Sequence, residues 1–302
     1  MQAKTYCLPL LFLAFIVCPA LAADKTAPQR PTAREVIERI KKSVGVPWSD
    51  QTVDTFKAGD PDTPVTGIAT TFLATYDVLQ RAAASGKNLV ITHEPTFYEH
   101  REQTERLGND PVLAAKRALI EKHKLVVWRF HDHWHKRRPD GIVEGMAKKM
   151  GLTPVRVDSG TTWGKDIPFE WPPYRIPETT VGQLATAMKD KLKANVIRVV
   201  GNRDMKVTRV GFACGAVGSG VQMRMLQSDS VEVLLAGESP EWETTEYVRD
   251  AVAAGLRKAV IFLGHRNSEE AGMEYCARWL KEVVPEVPIE FIPAGDPFWS
   301  PR

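Results

Sequence analysis

Three short stretches of the 302-residue chain gather side chains able to hold a divalent cation: His93-Glu94, His131-Asp132-His133-Trp134-His135, and His265 with Glu269. Five of the seven histidines fall in these places. Imidazole nitrogen and carboxylate oxygen, without thiolate, form a donor set for Zn, Fe, Mn, Ni or Co. A histidine beside an acid, as at His93-Glu94, can bind two ions or bridge them. Alternating histidines on an extended chain point the same way, so 131–135 reads as an imidazole cluster. Asp132 would then either ligate or orient a ring nitrogen. A helix beginning near His265 would put His265 and Glu269 on one face. Each stretch also has a plain reading: a capped strand end, a polar loop over aromatics, an acid at a helix N-terminus. Their combination is what argues for a metal centre. Two neighbouring ions suit hydrolysis, because one lowers the pKa of a water and both stabilise charge on the attacked group. Glu94 or His131 would manage the proton if not ligated.

The elements that must position these residues are legible as α/β. Asn88 to Thr92 is a short buried strand ending at His93, Leu125 to Phe130 one ending at His131, and Lys258 to Leu263 one ending at Gly264-His265. Ligands in open α/β sheets sit beyond such carboxyl ends. Further strands are expected at Val65 to Phe72, Val196 to Val200, Val207 to Cys214, Ser230 to Leu235 and Ile289 to Ile292. Thr32-Ala33-Arg34-Glu35 is a capping box opening a helix lined by Val36, Ile37, Ile40 and Val44. Helices are also expected at Tyr76 to Ser85, Pro111 to Lys124, Gly141 to Met150, around Val181 to Leu192, at Thr245 to Ala254 and at Glu269 to Val283. The alternation predicts two similar, intertwined α/β halves with mainly parallel sheets. They would span 23–154 and 179–302, joined by a Gly-, Pro- and Trp-rich linker or elaborated loop over 155–178.

Lys4, the apolar run Leu10 to Val17 and Ala20-Leu21-Ala22 have the layout of a secretory signal peptide over 1–22. The run is too short to span a bilayer. An exported, periplasmic or secreted protein with no membrane span after cleavage is the expectation. The formal charge of +3 offers no basic stripe and argues against dedicated nucleic-acid binding. Cys214 and Cys276 are the cysteines outside the leader and read as two buried free thiols.

These motifs resemble the NIF-three-like family, also known as type 2 GTP cyclohydrolase I, from about Val36 to Phe298. The family's strand, histidine pair and proline resemble Leu89 to Pro95, with Glu94 in the second histidine's place. Its strand, histidine and acid four residues on resemble Val126 to His135, with His135 in the acid's place. Its Gly-His with a later Glu matches Gly264-His265 and Glu269, and its closing Pro-Phe matches Pro297-Phe298. The resemblance implies a NIF-three-like fold, a homohexamer and a dinuclear centre. Its ligands would be His93, Glu94, His135, His265 and Glu269, with Asp132 competing if the local register differs. The two exchanges would preserve donor number and charge.

A metal-assisted hydrolase of a small polar or phosphorylated substrate is therefore expected, and the competing expectation is a non-catalytic metal-binding or scaffold oligomer. Glu238 matches a family loop and is a candidate substrate contact. Cys214 to Gly220 reads as a tight strand-to-helix turn, lacking the P-loop ending. Trp128, Trp134 and Trp163 are candidates for a pocket wall or for packing.

Overall fold

The computed structural model of the chain describes residues 1–2, 30–155 and 171–301. Nearly all of the expected leader, together with Trp163, lies outside them. The first part contains α1 (Ala33–Ser43), β1 (Phe56–Ala58), β2 (Ile68–Leu73), α2 (Tyr76–Ala84), β3 (Leu89–Glu94), α3 (Pro111–Lys122), β4 (Val126–Arg129), α4 (Asp132–Lys136) and α5 (Gly141–Met150). It continues through β5 (Thr153–Pro154), β6 (Tyr174–Thr180), α6 (Val181–Leu192), β7 (Arg198–Val200), β8 (Lys206–Ala213), α7 (Ser219–Gln227) and β9 (Val233–Ala236). Then come α8 (Glu246–Ala253), β10 (Ala259–Phe262), α9 (Glu270–Val283) and β11 (Ile289–Phe291).

The strands form two sheets, ordered β1-β4-β3-β2-β11 and β5-β6-β8-β9-β10-β7. The expected parallel pairing holds in the centre of both, where β4-β3-β2-β11 and β8-β9-β10 run parallel. The other pairings are antiparallel: β1 on β4, β7 on β10, and β6 between β5 and β8. Both sheets are thus mixed, the parallel central strands being joined through helical crossovers.

β3 is buried at every position, which its continuous apolar run requires. Leu89 and Ile91 join the larger core with Trp128, α1 and α5, while Val90 faces α2 and α3 with Leu79 and Leu119. Each such aliphatic side chain contributes about 1.5–3 kcal/mol through burial. The Thr32–Glu35 capping box is present at α1.

One expectation about layout needs correction. Residues 155–178 are not all loop: Trp171 is buried and β6 starts at Tyr174, because its pairing with β8 supplies order that local composition lacks. The last strand intertwines the halves, as expected. β11 pairs with β2 in the first sheet, and α9 packs there too, with the Thr70 hydroxyl donating to the Met273 carbonyl at 3.0 Å. The apolar stripe Met273, Cys276, Ala277 and Leu280 drives this, repeating at three- and four-residue steps. Where α5 crosses α9, Gly145 and Gly272 let the backbones meet; a Cβ on either would come within 2.7 Å of the other helix's main chain.

Candidate metal centre

β3 itself carries the first pair, since the strand runs through His93 and Glu94 instead of stopping before them. Alternation puts His93 on the face of Ile91, toward β4 and the loop after it. The His93 Nδ1 lies 3.1 Å from the Phe130 carbonyl, so Nδ1 carries the proton and Nε2 is left bare.

The 131–135 stretch is not extended. It forms the short helix α4 because buried Asp54, remote in sequence, accepts from the main-chain N–H groups of His131, Asp132 and His133 at 2.6–3.0 Å. Helical spacing aligns His131 with His135 and turns His133 away. The His133 ring is buried, bonded to Asp54 at 2.7 Å and to the Ser49 N–H at 3.0 Å, and stacked on Trp48 at 3.6 Å. His131 Nδ1 pairs with Asp132 Oδ1 at 2.9 Å and His135 Nδ1 with Asp140 Oδ2 at 3.0 Å. Asp132 thus sits behind His131, its other oxygen receiving the Thr52 hydroxyl and the Val53 N–H.

β10 leads to Gly264 and His265, followed by a 3-10 turn over Arg266–Ser268 before α9. The helix therefore begins later than expected, yet the turn still returns Glu269 to His265: Nε2 to Oε2 is 3.2 Å. His265 Nδ1 meets Glu238 Oε1 at 3.1 Å. Glu238 is thereby a positioning acid on the histidine.

All four imidazoles converge in one way. Each Nδ1 is tied to an oxygen, and each Nε2 faces the buried carboxylates of Glu94 and Glu269. His131 and His265 Nε2 lie 3.6 and 3.4 Å from Glu94 Oε1. His93 and His135 Nε2 lie 3.4 and 4.0 Å from the oxygens of Glu269. Two donors each about 2.0–2.1 Å from a shared tetrahedral ion stand about 3.3 Å apart. Buried His93 Nε2 and Glu269 Oε2 have no hydrogen-bond partner, a costly state that a cation would relieve. Gly215, at φ +57°, presses against Glu269, and a Cβ there would overlap its Oε1. On these three observations the residues fit a divalent metal. Two overlapping donor groups could hold one: His93, His131 and His135, and His93, Glu94 and Glu269.

The electrostatics follow the neighbours. Burial opposes ionisation of Glu94, yet the His265 hydrogen bond and His93 hold its carboxyl at about 2. Burial also opposes ionisation of Glu269, and His265 and His93 overcome it, keeping that carboxyl well below the usual range. Burial pulls His131 down to about 4 despite Asp132. His135 would also be lowered by burial, but Asp140 and Glu269 outweigh it and raise the ring to about 9. His265 rises to about 12 on Glu269 and Glu238, against burial.

Several residues here carry no pattern in the sequence. Arg129, fully buried, bonds the His93 carbonyl at 2.9 Å, the His100 carbonyl at 2.5 Å and Glu94 Oε2 at 3.2 Å. Asp140 orients His135 while capping α5 and accepting from the Trp171 ring N–H at 3.2 Å. The Asp-Gly step before an apolar helix signals that cap, though not its second task. His100, outside all three stretches, borders the centre. Cys214 lies beside Glu269, and burial keeps it a protonated thiol. Trp128 and Trp134 are packed in the core.

The centre opens on two sides. A cavity of about 560 Å³ is lined by His131, His135, Trp171, Cys214 and Val217. Another of about 970 Å³ is lined by Phe72, Tyr98, Glu238, Phe298 and Trp299. Glu94, His100 and His265 border both.

The model of the family described as Duf34/NIF3 (NGG1p interacting factor 3) matches residues 32–297. A "GTP cyclohydrolase 1 type 2 homolog" of Clostridium perfringens (strain 13 / Type A) is 22% identical over 252 residues, 80% of this chain and 88% of that protein. One of the same name from Staphylococcus aureus (strain MRSA252) is 28% identical over 144 residues, 48% of this chain. That second match spans only 36% of the Staphylococcus protein's own length. Among solved structures, Staphylococcus aureus hypothetical protein SA1388 superposes with a TM-score of 0.69 at 18% identity, covering 90% of this chain and 99% of that one. A Bacillus cereus protein related to NIF3 gives 0.69 at 16% identity, covering 89% and 98%. At such identities the likeness is one of fold.

Proposed function

The chain belongs to the Duf34/NIF3 family, and from that footing we propose that it is a divalent-metal protein with a two-ion centre that hydrolyses a small polar or phosphorylated substrate. The carrying observation is the convergence of four imidazoles, each tied at Nδ1 and turned by Nε2 toward the paired carboxylates of Glu94 and Glu269. His93, His131, His135, His265, Glu94 and Glu269 would hold the ions. Divalent ions there supply Lewis-acid stabilisation of developing charge and activation of water.

The chain's own groups do the rest. Asp132, Asp140, Glu238 and the Phe130 carbonyl fix the four ring orientations, which raises ligand basicity and prevents tautomer exchange. Arg129 occupies Glu94 Oε2 and leaves Oε1 facing His131 and His265. Glu94 stays ionised, so any share of Oε1 free of metal can accept a proton. A substrate would enter by the 560 Å³ cavity, which Trp171 and Val217 shield on one side.

The relatives' names denote a hydrolytic ring opening. That supports the hydrolytic class here; Glu94 in place of a second histidine is the reason to leave the substrate wider. The same proposal has residues 1–22 removed on export and assembly as a homohexamer.

The test is elemental analysis of the protein purified from its own compartment, followed by a hydrolase screen on the metal-loaded form against His265→Ala. Two ions per chain and activity lost in the variant are expected. Activity surviving in the variant would refute the catalytic role. Metal without activity across broad substrates would leave a non-catalytic metal protein.

A further inference from the structure

We infer that the two ion positions are chemically unlike, one suited to a borderline ion such as Zn(II) and the other to a hard ion such as Mn(II). This rests on the metal-centre reading above and concerns how the donors are divided.

On the α4 side stand three imidazoles. The rings of His93, His131 and His135 lie 4.6–5.0 Å apart, centre to centre. The acids that reach them are shared with the other side: Glu269 Oε2 is 3.4 Å from His93 Nε2, Glu94 Oε1 3.6 Å from His131 Nε2 and Glu269 Oε1 4.0 Å from His135 Nε2. On the β10 side the balance reverses. Glu94 Oε1 and Glu269 Oε2 are 3.4 and 3.2 Å from the single ring of His265, and Glu238 adds a third carboxylate behind that ring. Both carboxylates lie between the positions, Glu94 Oε1 facing His131 and His265 and Glu269 Oε2 facing His93 and His265, so the imidazole count, three against one, is what divides the two sides.

Nitrogen-rich and carboxylate-rich sets select differently. Imidazole suits Zn, Ni and Cu, while carboxylate and water suit Mn and Mg. Zn(II) outranks Mn(II) at any such site, but its lead is greatest where nitrogen donors dominate. The β10 side places Glu94, Glu269 and Glu238 around one imidazole, a mostly oxygen set that suits a hard cation. The α4 side offers mostly neutral donors with back-side acceptors, Asp132 and Asp140, that stiffen the rings and raise their basicity. The first equivalent of Zn(II) therefore goes to the imidazole position and leaves the carboxylate position to Mn(II).

The experiment loads metal-free, full-length protein with one equivalent of Zn(II) and excess Mn(II), desalts it, and reads both metals by elemental analysis. Electron paramagnetic resonance reads the manganese environment. About one Zn and one Mn per chain are expected, with an isolated Mn(II) signal in place of the coupled signal of protein loaded with Mn(II) alone. In His135→Gln, Zn(II) affinity should fall by more than about tenfold while Mn(II) is retained; in Glu94→Gln the losses should reverse. The wild-type loading stands as a test even if a variant does not fold. Expulsion of both Mn(II) ions by one equivalent of Zn(II), or equal loss of both metals in each folded variant, would overturn the inference. Protein that takes up neither metal would instead overturn the metal-centre reading on which it rests.

Discussion

The guanidinium of Arg129 and the carboxylate of Glu94 form an ion pair at 3.2 Å inside the protein, between adjacent strands β4 and β3. Removing one partner of such a pair typically costs about 3–5 kcal/mol, because the other charge is stranded in a poor solvent. Arg129→Met should therefore lower the melting temperature sharply. Adding Glu94→Gln should recover part of that loss, since an amide needs no counter-ion. A thermal-melt cycle of the wild type, the two single variants and the double variant measures the coupling. Additive losses would mean that the pair is not coupled.

Gly215 should tolerate no side chain without loss of metal. Gly215→Ala places a Cβ against Glu269 Oε1 and forces a left-handed residue, which by itself costs about 1–2 kcal/mol. A folded variant with depleted metal is expected, seen by elemental analysis beside circular dichroism. Full occupancy would show that Glu269 can move aside.

The three histidines of the middle stretch should separate cleanly. His133→Gln should keep its metal and lose stability, because that ring serves Asp54, Ser49 and Trp48. His131→Gln and His135→Gln should lose metal with smaller changes in melting temperature. Metal loss in His133→Gln without unfolding would contradict the observed orientation.

Metal uptake should release protons. His135 and His265 are held up to about 9 and about 12, so both are charged at pH 7, whereas His131, at about 4, is not. About two protons per chain should leave at pH 7, measured by calorimetry in buffers of different ionisation enthalpy. A release near zero would refute those charge states. For the metal-free protein, the raised pKa values of His135 and His265 give stability that is full below their ordinary 6.5 and is lost as pH rises through about 9 and then about 12. The lowered Glu94 gives stability that is full above 4.5 and is lost as pH falls toward about 2. The lowered His131 adds a destabilisation that grows as pH falls from 6.5 toward about 4, so melting temperatures without metal should peak near pH 6.5 and decline on both sides.

The three ligand-bearing strands were readable from sequence because a strand buried on both faces must be a short apolar run, and each run points at the residue beyond it. Helices with capping boxes or clear stripes, such as α1 and α6, were readable for the same local reasons. What the residues alone leave open is set by partners distant along the chain. Nothing within 131–135 says helix; Asp54 does, by collecting three N–H groups, and so decides that His131 and His135 face inward and His133 does not. Asp140 and Arg129 act through contacts that local periodicity does not encode. Ile289 to Ile292 reads as a strand, but its neighbour β2 belongs to the opposite end of the sequence.

That last pairing has a consequence during synthesis. A ribosome emits β2 long before β11 exists, and until then the flank of β2 offers unpaired amide and carbonyl groups to any passing strand. The segment that eventually covers the flank follows directly on α9, and α9 starts beside Glu269. One late arrival therefore both shields the nascent sheet from clumping and delivers the final acid. A chain stalled short of it would be sticky and unable to bind its cations at once.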